Sequence, residues 1–181
     1  METSDNFAFV GERFPFFKES ATRAELQAYA DPRASCFHAR HALERLVIRL
    51  FKVDKSLNQP TVNNLDAYMT EPSFLSLVPQ IVWEKAELVR KAGNSAVHGK
   101  KAPKPETAID VLRQLFDVAY WVGRTYVEDG ASKLAGRTYD ESLVPRVELS
   151  ASPASLQELD ALKAQLDAAE AANQEKQEEI D

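Results

Sequence analysis

Residues 93–101 read GNSAVHGKK and place two glycines, an asparagine, a histidine and two lysines in nine positions. Glycine followed by lysine suggests a loop that cradles phosphate, but the spacing argues against it. Five residues separate Gly93 from Gly99 where the phosphate-loop pattern has four, and Lys101 stands where a serine or threonine should meet magnesium. The residues before Gly93 also have helical spacing, whereas that pattern follows a strand. A second reading uses Arg90, Asn94 and His98. An imidazole exchanges protons near neutral pH, and a guanidinium grips phosphate with a forked pair of donors. Together they could cleave RNA without a metal. A structural reading fits the same residues: Gly93 ends one helix, Asn94 caps the next turn, and His98 packs against the helix that follows.

Other combinations offer less. His38 and His41 lie three residues apart and would share a helix face beside Cys36. A zinc site needs three or four ligands, and the chain has no second cysteine, so no metal set is expected. No GxSxG elbow occurs and no nucleophile signature surrounds Cys36. Cys36 reads as a small buried apolar side chain, and no catalytic residue is assigned.

The elements that must position these groups are helical, and the fold class expected is all-α. Residues 15–30 carry Phe17, Ala21, Ala24 and Ala28 on one stripe. Asp31-Pro32 then supplies a cap and a first-turn proline for a helix over 32–52, with Ala39, Leu43, Leu46, Val47 and Leu50 on its apolar face. Arg40, Glu44 and Arg45 fall toward its other side, and Arg40–Glu44 is an i,i+4 pair. A short helix capped by Asn63 or Asn64 follows the polar loop 53–63. A turn between Pro72 and Pro79 leads to a helix over 79–92 that Gly93 should end. A last long helix spans 107–128, with Ile109, Leu112, Phe116, Ala119, Tyr120, Trp121 and Val127 at helical spacing. Residues 129–150 read as an irregular wrap.

Residues 151–181 change character. Ser155 and Glu158 form a capping box, and Leu159, Leu162, Leu166, Ala169 and Asn173 follow the spacing of a coiled-coil seam. This segment holds eight acids and two bases, so it carries the whole net charge of −6 and residues 1–150 are neutral. The expected organisation is a helical bundle over 1–150 and an acidic coiled-coil or linker helix over 151–181. That tail stops inside a charged helical run, EKQEEID, which is the pattern of an excised piece. A neutral body gives no global pull on nucleic acid but permits a local basic patch. Arg90, Lys91, Lys100, Lys101 and Lys104 cluster near one turn and are the candidates for nucleic-acid or partner contact. No run approaches the ~20 apolar residues of a membrane span, and the N-terminus lacks a signal pattern. A cytoplasmic location without a membrane partner is expected.

Three blocks together resemble a known family: DPRASCFHARHALERLVIRLFK, VRKAGNSAVHGKKAPKPETAIDVLRQLFDVAYWVGRTY, and the acidic coil. The D-P, A-R-x-x-L-E and G-N-x-A-V-H segments and the late Y-W are similar to the N-terminal helical domain of type I restriction enzyme R subunits (the HsdR family). The resemblance covers roughly residues 5–145. It implies a HEPN-like helical bundle with an assembly or regulatory role, joined by a charged coil to a nuclease and an ATP- and magnesium-dependent motor outside this chain. It also implies the other subunits of a restriction complex as partners. Active HEPN proteins are dimeric RNases in which four to six residues separate arginine from histidine. Here seven separate Arg90 from His98, so the resemblance carries over no catalytic role. A HEPN-type RNase dimer and a plain oligomerisation module remain as alternatives.

Overall fold

Asp31 and Pro32 start the helix around which the bundle is built. The Asp31 carboxylate accepts the Ala34 amide at 3.0 Å, and Pro32 opens α2 (Pro32–Val53) at a position whose N–H would have no helical partner. The computed structural model describes residues 6–99 and 101–146. Among them α2 packs against α1 (Pro15–Gln27), α5 (Gln80–His98) and α6 (Pro105–Tyr126). Three short helices complete the set: α3 (Leu65–Met69), α4 (Pro72–Leu77) and α7 (Gly130–Lys133). No strand occurs among the described residues. The protein is an all-α helical bundle.

Leu43, Leu46 and Leu50 of α2 are at most 1% exposed, as are Leu112, Leu115 and Phe116 of α6. Each such side chain contributes about 1.5–3 kcal/mol by leaving water. On α6 the buried surface is wider than one stripe, because Val111, Leu115, Val118 and Val122 are covered as well. The helix is enclosed by α2, α5 and the 3-10 turn Ala8–Val10. The two ends of the described chain meet at Asn6, which is 2% exposed. Its amide nitrogen donates to Glu25 Oε1 at 2.6 Å and to the Asp140 carbonyl at 3.0 Å, and its oxygen accepts the Asp140 amide at 2.8 Å. Asn6 thereby pins the irregular segment after α7 onto α1.

Three local expectations are corrected. The expected turn between Pro72 and Pro79 is the helix α4, because the Glu71 carboxylate accepts the Ser73 and Phe74 amides and caps it. The irregular wrap contains α7 and the 3-10 turn Glu141–Leu143. The helix expected to stop at Gly93 instead runs on to His98. Asn64, not Asn63, caps α3, through the Ala67 amide at 2.8 Å. The coiled-coil or linker reading of residues 151–181 and the contact role of Lys100 lie outside the described residues.

Candidate functional site

Gly93 has no left-handed backbone, so it is not a C-terminal cap. Its value is the missing side chain. A Cβ there would lie 2.3 Å from Arg40 Cβ and 2.8 Å from Arg40 Cδ. Gly93 is the notch through which α5 crosses α2, and the Arg40 stem fills it. Two turns earlier on α2, Arg33 Nη2 donates to the Gly99 carbonyl at 3.3 Å, so α2 also holds the end of α5. Asn94, expected to cap a new turn, is an interior residue of α5, half-buried. Gly99 is the residue that ends the helix, with extended geometry and its amide on the Ser95 carbonyl at 2.7 Å.

Arg90, Asn94 and His98 therefore sit on one continuous helix at successive turns. Their side chains do different things. Arg90 clasps Glu87 with Nε to Oε2 at 2.7 Å and Nη2 to Oε1 at 2.8 Å, and Nη1 lies 3.3 Å from Asp66. The Arg90 bond holds the Glu87 carboxyl below its usual range, and the same bond raises the guanidinium. His98 is exposed at the end of α5, where the expected packing would have buried it. It has no reason to be buried there, because the chain leaves α5 one residue later. Lys91 is two-thirds exposed and 3.3 Å from Glu87 Oε1. Lys101 and Lys104 are exposed in the connection to α6. The structure thus ties Arg90 and Lys91 to Glu87 and leaves Lys101 and Lys104 on a separate stretch of chain.

Cys36, His38 and His41 do not converge either. Cys36 is 1% exposed and turned to the core, where burial pushes its thiol up to about 11. His41 makes two bonds away from it: Nε2 accepts Arg45 Nε at 3.3 Å, which leaves Nδ1 to donate to Ser20 Oγ at 3.0 Å. Burial, then the Arg45 charge, lowers His41 and keeps it neutral at physiological pH.

A second feature was not picked out from the sequence. Arg13, Arg45, Arg49 and Lys52 line a cleft of about 320 Å³ between the start of α1 and the outer face of α2, with Phe14, Phe16, Phe17 and Ile48 around them. The signal for it was present. Arg45, Arg49 and Lys52 recur at i, i+4 and i+7, which stacks them on one face of α2 opposite its leucines. Arg13 could not be assigned to this face, because only tertiary packing brings the start of α1 there.

No curated protein and no solved structure matches the chain. The family described as "Domain of unknown function (DUF4145)" matches residues 22–137, which run from within α1 through α7 and include Arg40, Gly93 and His98. That span is well over half of the sequence, and the chain belongs to the DUF4145 family.

Proposed function

We propose that this chain is a non-catalytic helical module that serves assembly or regulation in a larger machine of the type I restriction enzyme R-subunit kind. One observation carries the non-catalytic part. The Arg90 guanidinium is spent on Glu87 and Asp66, so it offers no free fork to a phosphate. Its half-buried partner, Glu87, would lose both charge-assisted bonds if Arg90 turned away. The wider assignment rests on the sequence blocks that resemble R subunits. In that reading ATP, magnesium and DNA cleavage belong to parts of the machine beyond these residues, and the location is cytoplasmic. Among the described residues no helix is long and apolar enough to cross a membrane.

A surface suited to assembly lies on the outer edge of α5. Ile81 and Leu88 are 60% and 55% exposed, and their seven-residue spacing puts them on one line. The test is size-exclusion of the full chain mixed with the specificity and modification subunits of a type I enzyme. Co-elution that Leu88→Asp disrupts supports the module. Separate elution of all components rejects it. The HEPN-type alternative predicts RNA cleavage by a dimer that disappears in His98→Ala, and that result would replace the non-catalytic reading.

A further inference from the structure

We infer that the cleft between the start of α1 and the outer face of α2 binds single-stranded nucleic acid. Four cations, Arg13, Arg45, Arg49 and Lys52, meet there with Glu12 as the one acidic lining residue. Several arginines elsewhere in the bundle have carboxylate partners: Arg23 with Glu19, Arg90 with Glu87, Arg113 with Asp110 and Glu141. Among the described residues none of the four cleft cations has one. The polar contact of Arg45 is to the neutral His41 ring. The four charges therefore remain available to an external anion.

The N-terminus of α1 adds to them. No side chain caps it, and its first turn contains no acid. Phe14 to Phe17, which form that turn, line the same cleft. A helix start with open amides carries partial positive charge and favours phosphate. The basic stripe from Arg45 to Lys52 runs about 10 Å along α2. Such a stripe suits an extended chain of phosphates better than a single small anion.

Aromatic rings supply the other half of the recognition. Phe16 is 68% exposed although its neighbours Phe14 and Phe17 are buried. It stands between the basic cleft and a second cleft lined by Phe37, His38, His41 and Arg45. Phe37 is 42% exposed, and its ring is stacked with that of His41 at 6.4 Å and 5°. Exposed π faces beside unpaired cations are the means by which proteins hold unpaired bases and their backbone together, with little demand on sequence. A duplex hides its base faces, and a bilayer presents a broad flat surface to which a cleft is poorly matched.

The test uses the full chain and a fluorescently labelled oligothymidine of about 12 nucleotides, a length within the usual single-strand site sizes. With four phosphates neutralised, log affinity should fall with log salt at a slope of about −3, or roughly 50-fold between ~50 and ~200 mM. Phe16→Ala should weaken binding by about 5- to 150-fold and leave that slope unchanged. Arg45→Gln with Arg49→Gln should flatten the slope by about 1.4. All three positions are exposed, so the variants should keep the wild-type circular dichroism. No binding at the lower salt overturns the assignment. So does wild-type affinity in Phe16→Ala together with equal binding of heparin, a polyanion without bases. Capture by phosphatidylserine vesicles but not by the oligonucleotide would give the cleft to a membrane surface, and equal affinity for a duplex would refute the single-strand preference.

Discussion

Gly93→Ala should destabilise the bundle, and its sign distinguishes the crossing from the two ordinary roles of a helical glycine. An exposed glycine inside a helix costs about 1 kcal/mol relative to alanine, so replacing it stabilises. A glycine held in the left-handed region resists replacement through backbone strain, but Gly93 has no positive φ. What opposes alanine here is Arg40. The new Cβ would meet Arg40 Cβ at 2.3 Å, well inside van der Waals contact. Arg40 Cβ is fixed to the α2 backbone, so no rotamer change removes the clash, and α2 and α5 must move apart. Overpacking of this kind costs about 1–3 kcal/mol, and the rigidity of both atoms puts it near the upper end. The helix-propensity gain of about 1 kcal/mol leaves a net loss of about 2 kcal/mol. For a chain of this size that lowers Tm by about 4–8 °C. Differential scanning calorimetry on the full chain measures it. Arg40→Ala removes the Cδ and Cγ contacts but keeps the Cβ, so the double variant should recover only part of the loss. A rise in Tm for Gly93→Ala alone would refute the crossing.

The remaining expectations concern charge and accessibility. Arg90→Ala should cost about 1.5–3 kcal/mol, because it leaves the half-buried Glu87 with Lys91 alone. Glu87 is held below its usual range, so its contribution is present above pH ~4.5 and is lost as pH falls through the lower folded value. The gap between wild type and variant in urea midpoints should therefore close in acid. His41 is lowered by burial first and then by Arg45, with Arg40 and Arg23 adding and Glu44 opposing. Its stabilising effect is thus present above pH ~6.5 and declines as pH falls toward the folded value. The urea midpoint should drop between about pH 7.5 and 5.5, less steeply in His41→Gln; an unchanged drop would clear His41, since His38 titrates in the same sense. Cys36, buried with its thiol near 11, should react with iodoacetamide only as fast as the core opens. Prompt stoichiometric labelling in buffer would show that the face of α2 bearing Cys36 is not sealed.

The legible parts of this fold share a physical origin in local chemistry. Asp31-Pro32 fixes the start of α2 because cap and proline act within one turn. The leucine stripe of α2 is set by helical period alone. Gly93 is not legible in this way, because a glycine after a helical run has two explanations and local sequence holds only one of them. The cap explanation needs a positive φ, which is a local property. The crossing explanation needs a second helix, and Arg40 lies more than fifty residues away. The basic cleft divides in the same way. Its α2 cations are visible as an i, i+4, i+7 series, but a charged helix face is most often simply solvated. Only the packing of α1 beside it, with Arg13 and an uncapped first turn that carries exposed Phe16, sets this face apart. GNSAVHGKK is the opposite case. That run concentrates reactive residue types in sequence, yet the fold spends its glycine on helix crossing and a nearby Arg90 on Glu87. The cleft draws unremarkable residues from α2 and from the turn that leads into α1 and leaves their charges unspent, and unspent charge beside an exposed ring is what an external ligand can use.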